Sequence, residues 1–262
     1  MGNVIQTNVA SLGAQKSLFK TNNELSTTFS RLSSGFRINS ARDDASGLVL
    51  ASQLAKEVGG ARIAARNAND GISFAQVAEG ALQEISSILL RMRDIAVQAS
   101  SGQVTAAGQT ALDAEFSALD AEITRIVGDT EFAGGAVFSA NATNITVDTN
   151  GSSTIAIATT DGAAFDTGGT DASAGLAAVD TAITAVDTQR GILGAAQNRL
   201  TFAANNLNAN IENSSAALSR IRDTDYAVET ANLAKNQVLQ QAGFSVLAQA
   251  NASSQSVLSL LQ

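Results

Sequence analysis

Between Gln189 and Asp225 apolar residues recur at alternating spacings of three and four. With Leu193 placed at heptad position d, Leu200, Leu207 and Ile221 fall on d, and Ala204, Ile211 and Leu218 fall on a. Only Gln197 and Ser214 interrupt the stripe. The chain has no proline, so nothing here forbids one long helix. A stripe this narrow is not stable alone and needs partner helices.

Two more stripes supply them. Ala75, Ala78, Leu82, Ile85, Leu89, Met92, Ala96 and Ala99 keep the same spacing, as do Leu112, Phe116, Leu119, Ile123 and Ile126. Three stripes can bury one another. Heptad spacing also occurs in short globular cores, but the length and repetition argue for a mainly α fold, an elongated antiparallel coiled coil or helical bundle. Aromatic residues make up 4% of the chain, with no Trp and one Tyr. A core of Ala, Leu, Ile and Val favours close helix packing over a thick, pocketed interior.

The absences narrow function further. With no His and no Cys, a His general base, a thiolate nucleophile, a Ser-His-Asp triad, the usual zinc sites and disulfides are all closed off. Carboxylate chemistry remains, but Asp43 and Asp44 are sequence neighbours and would point to different sides of a helix. No enzyme activity and no cofactor are expected. The start, MGNVIQTNVASLG, has neither a basic n-region nor an apolar h-region, and no run of 18 apolar residues occurs, so no cleaved leader and no membrane insertion are expected.

The net charge of −8 is concentrated. Asp129, Glu131, Asp148, Asp161, Asp166, Asp171, Asp180 and Asp187 lie in a window between Ile126 and Gln189 that holds no Lys or Arg. Outside it the acidic and basic residues balance. This suggests ends that pack against copies of themselves and a middle that faces water; nucleic acid is not an expected partner.

In chain order, residues 1–30 carry apolar positions at Ile5, Val9, Leu12, Phe19, Leu25 and Phe29 with roughly helical spacing. Such a helix orders when a partner covers its apolar face. Ser34 and Gly35 mark a break, and Ser40 followed by Asp43 reads as a capping-box-like start for a helix from Ala41 to about Ser100. Gly59, Gly60, Gly71 and Gly80 each cost it about 1 kcal/mol relative to Ala, so a break at Gly59-Gly60 is the alternative. Thr105 or Thr110 caps the next helix and Gly128 stops it. Residues 144–149 and 153–159 alternate and are β-branched around Asn150-Gly151, a hairpin signal; residues 160–175 read as a loop. The helical stripe then resumes and bends near Asp223-Thr224-Asp225. Val228, Ala231, Val238, Ala242, Leu247, Val257, Leu258 and Leu261 are the apolar positions of the last segment.

The wording of several segments adds what periodicity does not contain. RLSSGFRINSARDDASGLVLA at Arg31–Ala51 resembles a motif of bacterial flagellins, LSSGxRINSAxDDAxGxxIA, with Val49 and Leu50 where the family usually has Ala and Ile. RNANDG at Arg66–Gly71, EGALQE at Glu79–Glu84, MRDIAVQ at Met92–Gln98, DTEFAGG at Asp129–Gly135 and QRGILGAAQNRL at Gln189–Leu200 are similar to later flagellin segments. The C-terminal run SRIRDTDYAVETANLAKNQVLQQAGFSVLAQAN, Ser219–Asn251, is the most similar.

The resemblance implies a structural subunit that self-assembles into the bacterial flagellar filament for swimming motility, secreted through the type III export apparatus. A hook-filament junction protein, which shares such ends, is the alternative. It implies a terminal coiled-coil domain, residues 1–40 with 224–262, forming the filament core. Residues 41–223 would form a helical bundle with a hairpin at about 144–159, and large outer domains are absent. Ile5, Val9, Leu12, Phe19, Leu25, Phe29, Val238, Leu247, Val257, Leu258 and Leu261 are then the self-assembly face. Leu82, Ile85, Leu89, Met92, Leu112, Phe116, Leu119, Ile123, Leu193, Leu200, Leu207, Ile211 and Leu218 form the intrachain seam. Implied partners are other flagellin subunits, an export chaperone on the C-terminal segment at roughly Asp225–Gln262, and the filament cap and hook-junction proteins. Vertebrate Toll-like receptor 5 would read Leu89, Arg91, Ile95, Gln98 and Glu115, although Leu90 stands where a polar residue is common. Some flagellins carry a zinc metallopeptidase HExxH motif, which a chain without His lacks.

Overall fold

A computed structural model describes residues 7–139, 142–169 and 171–259. Five α-helices carry these residues: α1 Val9–Ser34, α2 Ala45–Ala99, α3 Ala106–Asp129, α4 Leu176–Arg222 and α5 Tyr226–Ser259. Two antiparallel hairpins lie between α3 and α4. The first pairs β1 Glu131–Phe132 with β2 Gly135–Ala136, and the second pairs β3 Thr143–Thr146 with β4 Thr154–Ile157 in the register Thr143 to Ile157 through Thr146 to Thr154. The fold is mainly α with small hairpins, as expected. The described residues of Met1–Ala55 and Ser214–Gln262 make one compact unit and Lys56–Asn213 another.

Most of the apolar interior belongs to the Lys56–Asn213 unit. Leu82, Ile85, Leu89, Met92 and Ile95 of α2, Phe116 and Ile123 of α3, and Val179, Val186, Leu193 and Leu200 of α4 are fully or almost fully buried together. The helix is continuous as expected, without the alternative break at Gly59-Gly60; α2 runs through all four of its internal glycines beyond Gly47. Two of those glycines are needed for close approach. A Cβ on Gly60 would lie 2.8 Å from the carbonyl oxygen of Thr149, and one on Gly71 would lie 2.9 Å from Cγ1 of Ile145. The β3–β4 hairpin therefore rests on α2 where α2 has no side chain.

The stripe of α4 departs from the simple heptad. Its buried residues run Val179, Ala182, Val186, Gln189, Leu193, Ala196, Leu200, Ala204 and Leu207. Ala196, not Gln197, is the inward partner of Leu193 and Leu200, and two successive steps of four follow, Ala196 to Leu200 to Ala204. That insertion is a stutter, which shifts the stripe around the helix and relaxes left-handed supercoiling locally. Above it, Leu207 joins Ala61, Ala64 and Ala65 with Ile211 beside them.

Helix ends are set by short polar side chains. Thr105 caps α3, its Oγ1 accepting from Gly108 N at 3.2 Å. The helix passes Gly128 and ends at Asp129, one residue beyond the expected stop. The start of α2 also differs from expectation. Ser40 and Asp43 form a turn before the helix, in which Asp43 Oδ2 accepts from Asn39 N, Ser40 N and Ser40 Oγ. Asp44 is the cap, its Oδ1 accepting from Ser46 Oγ and from Gly47 N, both at 2.9 Å. Two consecutive carboxylates thus divide the work, and α2 begins at Ala45, four residues later than the pattern suggests.

The acidic middle is less solvent-borne than its charge implied. Phe165 and Ala172 are fully buried in the bundle core, and Phe138 meets Phe165 edge to face at 6.0 Å. The stretch expected to be plain loop contains a 3₁₀ turn at Gly162–Ala164. It is tied down by polar anchors: Thr167 N and Oγ1 donate to Asp120 Oδ1, and Ala172 N donates to Asp113 Oδ1. The connection between β3 and β4 is wider than a two-residue turn. The Asp148 carboxylate accepts from the main-chain N–H groups of Asn150, Gly151, Ser152 and Ser153 and from the Ser152 hydroxyl. Gly151 sits there at φ 75°.

Candidate assembly surface

In the unit that holds both chain ends, α1 packs antiparallel on α5. The buried residues between them are small or polar, and Leu18, Leu25, Leu233 and Leu247 fall half-buried on the same two stripes. Ser11, Ala14, Thr28, Glu229, Asn236 and Ala250 are the buried ones. Asn8, which caps α1 by accepting from Ser11 N, also donates to Ala250 O at 3.0 Å. Asn22 Oδ1 accepts from Gln240 Nε2 at 2.7 Å, and Leu18 lies over Gly243. At the far end Arg31 approaches Glu229 at 3.9 Å. Polar pairs at fixed positions set the register of such a helix pair while adding little to its stability.

Other large apolar side chains point elsewhere. Val9, Leu12, Phe19 and Phe29 of α1 and Val238 of α5 are exposed, Phe19 at 69% and Val238 at 67%. Leu25 and Leu247 are half-buried. Ile5 and Leu261 lie outside the described residues, as do the side chains of Val257 and Leu258. In the contact between the two helices the buried residues are small or polar and the leucines are half-buried, while the most exposed apolar side chains lie uncovered. Sequence reasoning also passed over Tyr226, Leu239, Phe244 and Val246, each at least 45% exposed, and placed Val228 among the apolar positions without assigning it to the face. Their signal was available: Val238-Leu239 and Val246-Leu247 are adjacent pairs, which no single stripe can hold, and a helix apolar on several sides is one that gets covered on several sides.

The unit's other end is a clasp. Gly35 closes α1 in the left-handed conformation, φ 74°, its N–H on Arg31 O. Phe36 then forms a short antiparallel bridge with Asp223: Arg37 N donates to Arg222 O at 2.7 Å and Thr224 N to Gly35 O at 2.9 Å. The Arg222 guanidinium lies 3.7 Å over the Phe36 ring, and Arg37 donates to Ile221 O at 2.6 Å. The break expected at Asp223–Asp225 falls here, and Asp225 caps α5 by accepting from Ala227 N and Val228 N.

Within the Lys56–Asn213 unit the expected seam residues lie together. Leu82, Ile85, Leu89, Met92, Phe116, Ile123, Leu193 and Leu200 are in the core, with Leu112 and Leu119 packed against it, and Leu207 and Ile211 in the smaller cluster. Leu218 is half-buried in the other unit. The residues expected to face an innate receptor separate. Arg91, Gln98 and Glu115 are exposed, and Arg91 pairs with Glu115 through Nε at 3.0 Å and Nη2 at 2.6 Å. Leu89 and Ile95 are fully buried, Leu89 on the three-four stripe that α2 turns inward and Ile95 beside Ala96 of that stripe in the same core; a partner of the folded subunit cannot touch them.

Among the described residues no group of three or more Asp or Glu is placed to hold a metal ion, and no helix is long and apolar enough to cross a membrane. The geometry defines a chain with one helical bundle that has its own core and one helix pair with a set of large apolar side chains left exposed. Residues 5–143 match the bacterial flagellin N-terminal helical region and residues 176–261 the bacterial flagellin C-terminal helical region. The chain belongs to the bacterial flagellin family. It is similar to flagellin of Halalkalibacterium halodurans, 38% identical over 99% of this chain and all of that one. It is 37% identical to flagellin of Bacillus subtilis over 98% of this chain and 99% of the other, and 36% identical to the flagellar filament core protein flaB2 of Brachyspira hyodysenteriae over 99% and 100%. The crystal structure of Bacillus cereus flagellin superposes with a TM-score of 0.50 at 31% identity, covering 54% of this chain and 88% of that one.

Proposed function

We propose that this protein is a structural subunit of the bacterial flagellar filament, and that the α1–α5 pair supplies the contacts that hold subunits in the filament core. The observation that carries the reading is the uncovered apolar set of the pair: Phe19, Phe29, Val238 and Phe244 face out, while the seam itself holds small and polar residues with half-buried leucines. Each outward side chain of this size gains about 1.5–3 kcal/mol when fully buried, and identical copies related by a helical operator present the same stripes to one another. We take residues 1–40 with 224–262 as the filament core and residues 41–223 as its outer wall. The family is one of structural proteins, and no catalytic role is assigned to this chain.

The same reading extends to partners. An export chaperone covering the outward residues of roughly Asp225–Gln262 would keep them from premature assembly, and filament cap and hook-junction proteins would meet the same face at the ends of the polymer. The filament places the protein outside the cell. For Toll-like receptor 5, Arg91, Gln98 and Glu115 form the accessible part of the surface.

The test is electron microscopy of the purified chain after salt or seed addition, beside a truncation lacking Ser253–Gln262. Long helical filaments from the full chain and a soluble, non-polymerising bundle from the truncation are expected. Normal filaments from the truncation, or none from the full chain under any seeding, would overturn the assignment of the core.

A further inference from the structure

Asn150 is the one asparagine in the chain followed by glycine. The pair sits at the exposed tip between β3 and β4, outside any helix or strand, with Gly151 at φ 75° and open space where a Cβ would stand. Asparagine followed by glycine is chemically special because no side chain shields the next main-chain nitrogen, which can reach the asparagine side-chain carbonyl. The Asn-Ser pairs of the chain are held differently. Asn39 donates through Nδ2 to Ser30 O, Ser30 Oγ and Ser34 Oγ, while Ser40 N donates to Asp43; Asn213-Ser214 lies within α4.

We propose that Asn150 is a site of spontaneous covalent modification, deamidation through a cyclic imide, and that Asp148 is the brake on it. In the reaction the Gly151 main-chain nitrogen loses its proton to solvent base and bonds to Cγ of Asn150. The Cγ–Nδ2 bond breaks and the side-chain nitrogen leaves as ammonia, carrying a proton from water. Water then adds to one imide carbonyl or the other and opens the ring, leaving an aspartyl or an isoaspartyl residue at this position. No oxidant or cofactor is involved.

The brake is geometric. Gly151 N–H donates to Asp148 Oδ1 at 3.0 Å, the N–H of Asn150 is held by the same oxygen, and Ser152 and Ser153 hold the other. The nucleophile's proton is thus engaged and its nitrogen is fixed facing Asp148, so attack requires the clasp to open. The product has a structural consequence next door. The isoaspartyl form inserts an extra methylene into the main chain beside Thr149, whose carbonyl is packed against Gly60. The aspartyl form adds one negative charge to the acidic middle and leaves the main chain unchanged.

The full-length protein, incubated at pH 8 and 37 °C and followed by peptide mass spectrometry, should convert at Asn150 before any other asparagine. Asp148→Ala should raise the folded-state rate on the order of tenfold, the weight of one charge-assisted hydrogen bond. In denaturing urea, where the clasp is gone, the wild type should speed up and the two chains should convert alike, which separates the clasp from any effect of the neighbouring sequence. Conversion at other asparagines with Asn150 intact would overturn the site. Equal folded-state rates, or a rate difference that persists in urea, would overturn the brake.

Discussion

The carbonyl oxygen of Thr149 stands 2.8 Å from where a Cβ would be on Gly60, so the tip of the β3–β4 hairpin touches the bare main chain of α2. Gly59, its neighbour, is exposed and has nothing within 4 Å of the same point. Gly59→Ala should therefore gain the full helix preference, about 1 kcal/mol, and raise the Tm of the monomer by about 2–4 °C. Gly60→Ala gains the same preference but must push a main-chain carbonyl aside, at a cost of about 1–3 kcal/mol. A fall or no gain in Tm is expected, and calorimetry on the pair distinguishes close packing from simple helix propensity.

The start of α2 carries a pH signature. The Gly47 N–H, then the Ser46 hydroxyl, hold the Asp44 carboxyl below its ordinary 3.8, and the Ser40 N–H and hydroxyl do the same for Asp43. A carboxyl lowered in the folded state contributes its full stabilisation above 3.8 and loses it as pH falls through the lower folded value. Amide exchange at Gly47, corrected for its intrinsic rate, should therefore accelerate below pH 3.8 in the wild type. Asp44→Asn keeps a capping oxygen that does not titrate, and its profile across the same window should be flatter than that of the wild type, with the remaining rise belonging to Asp43.

How far these features could be read in advance depended on whether they were periodic. Leu82 to Met92 and Leu193 to Leu200 repeat along the chain, so burial follows from spacing alone, and Asn150-Gly151 announces a hairpin by composition. The cap at Asp44 was ambiguous because Ser40, Asp43 and Asp44 all suit a helix start, and only main-chain geometry separates the turn from the helix. Phe165 is a lone aromatic in a Gly, Asp and Thr stretch, with no repeat to mark it as core. The outward set of apolar residues on α1 and α5 was visible as residues and only in part as a surface, since a stripe shows that a helix is covered but not by which chain.

That distinction gives the next expectation. Phe19 and Val238 are among the most exposed apolar residues of the helix pair, so Phe19→Asp and Val238→Asp remove little intrachain packing. Each variant should melt within about 0.5 kcal/mol of the wild type, the usual range for surface substitutions. Neither should form filaments under seeding, because a charge at a buried inter-subunit contact goes unpaired. Sedimentation of polymer beside the Tm of the monomer checks both halves; a variant that polymerises normally removes that residue from the assembly face.

Gln189 is the one polar side chain inside the α4 stripe, 2% exposed, and it works as a clamp on the neighbouring segment. Its Nε2 donates to Ala158 O at 2.6 Å and its Oε1 accepts from Thr160 Oγ1 at 2.6 Å. Gln189→Leu keeps the bulk and the heptad position but leaves a carbonyl and a hydroxyl without partners, which costs about 1–3 kcal/mol if they stay buried. The urea midpoint should fall with an unchanged m value, and cleavage by proteases within residues 158–169 should become faster. Adding Thr160→Val removes the orphaned hydroxyl, so the double variant should be more stable than the sum of the two single losses. Strict additivity would mean that the Thr160 bond contributes nothing and that Gln189 acts through Ala158 alone.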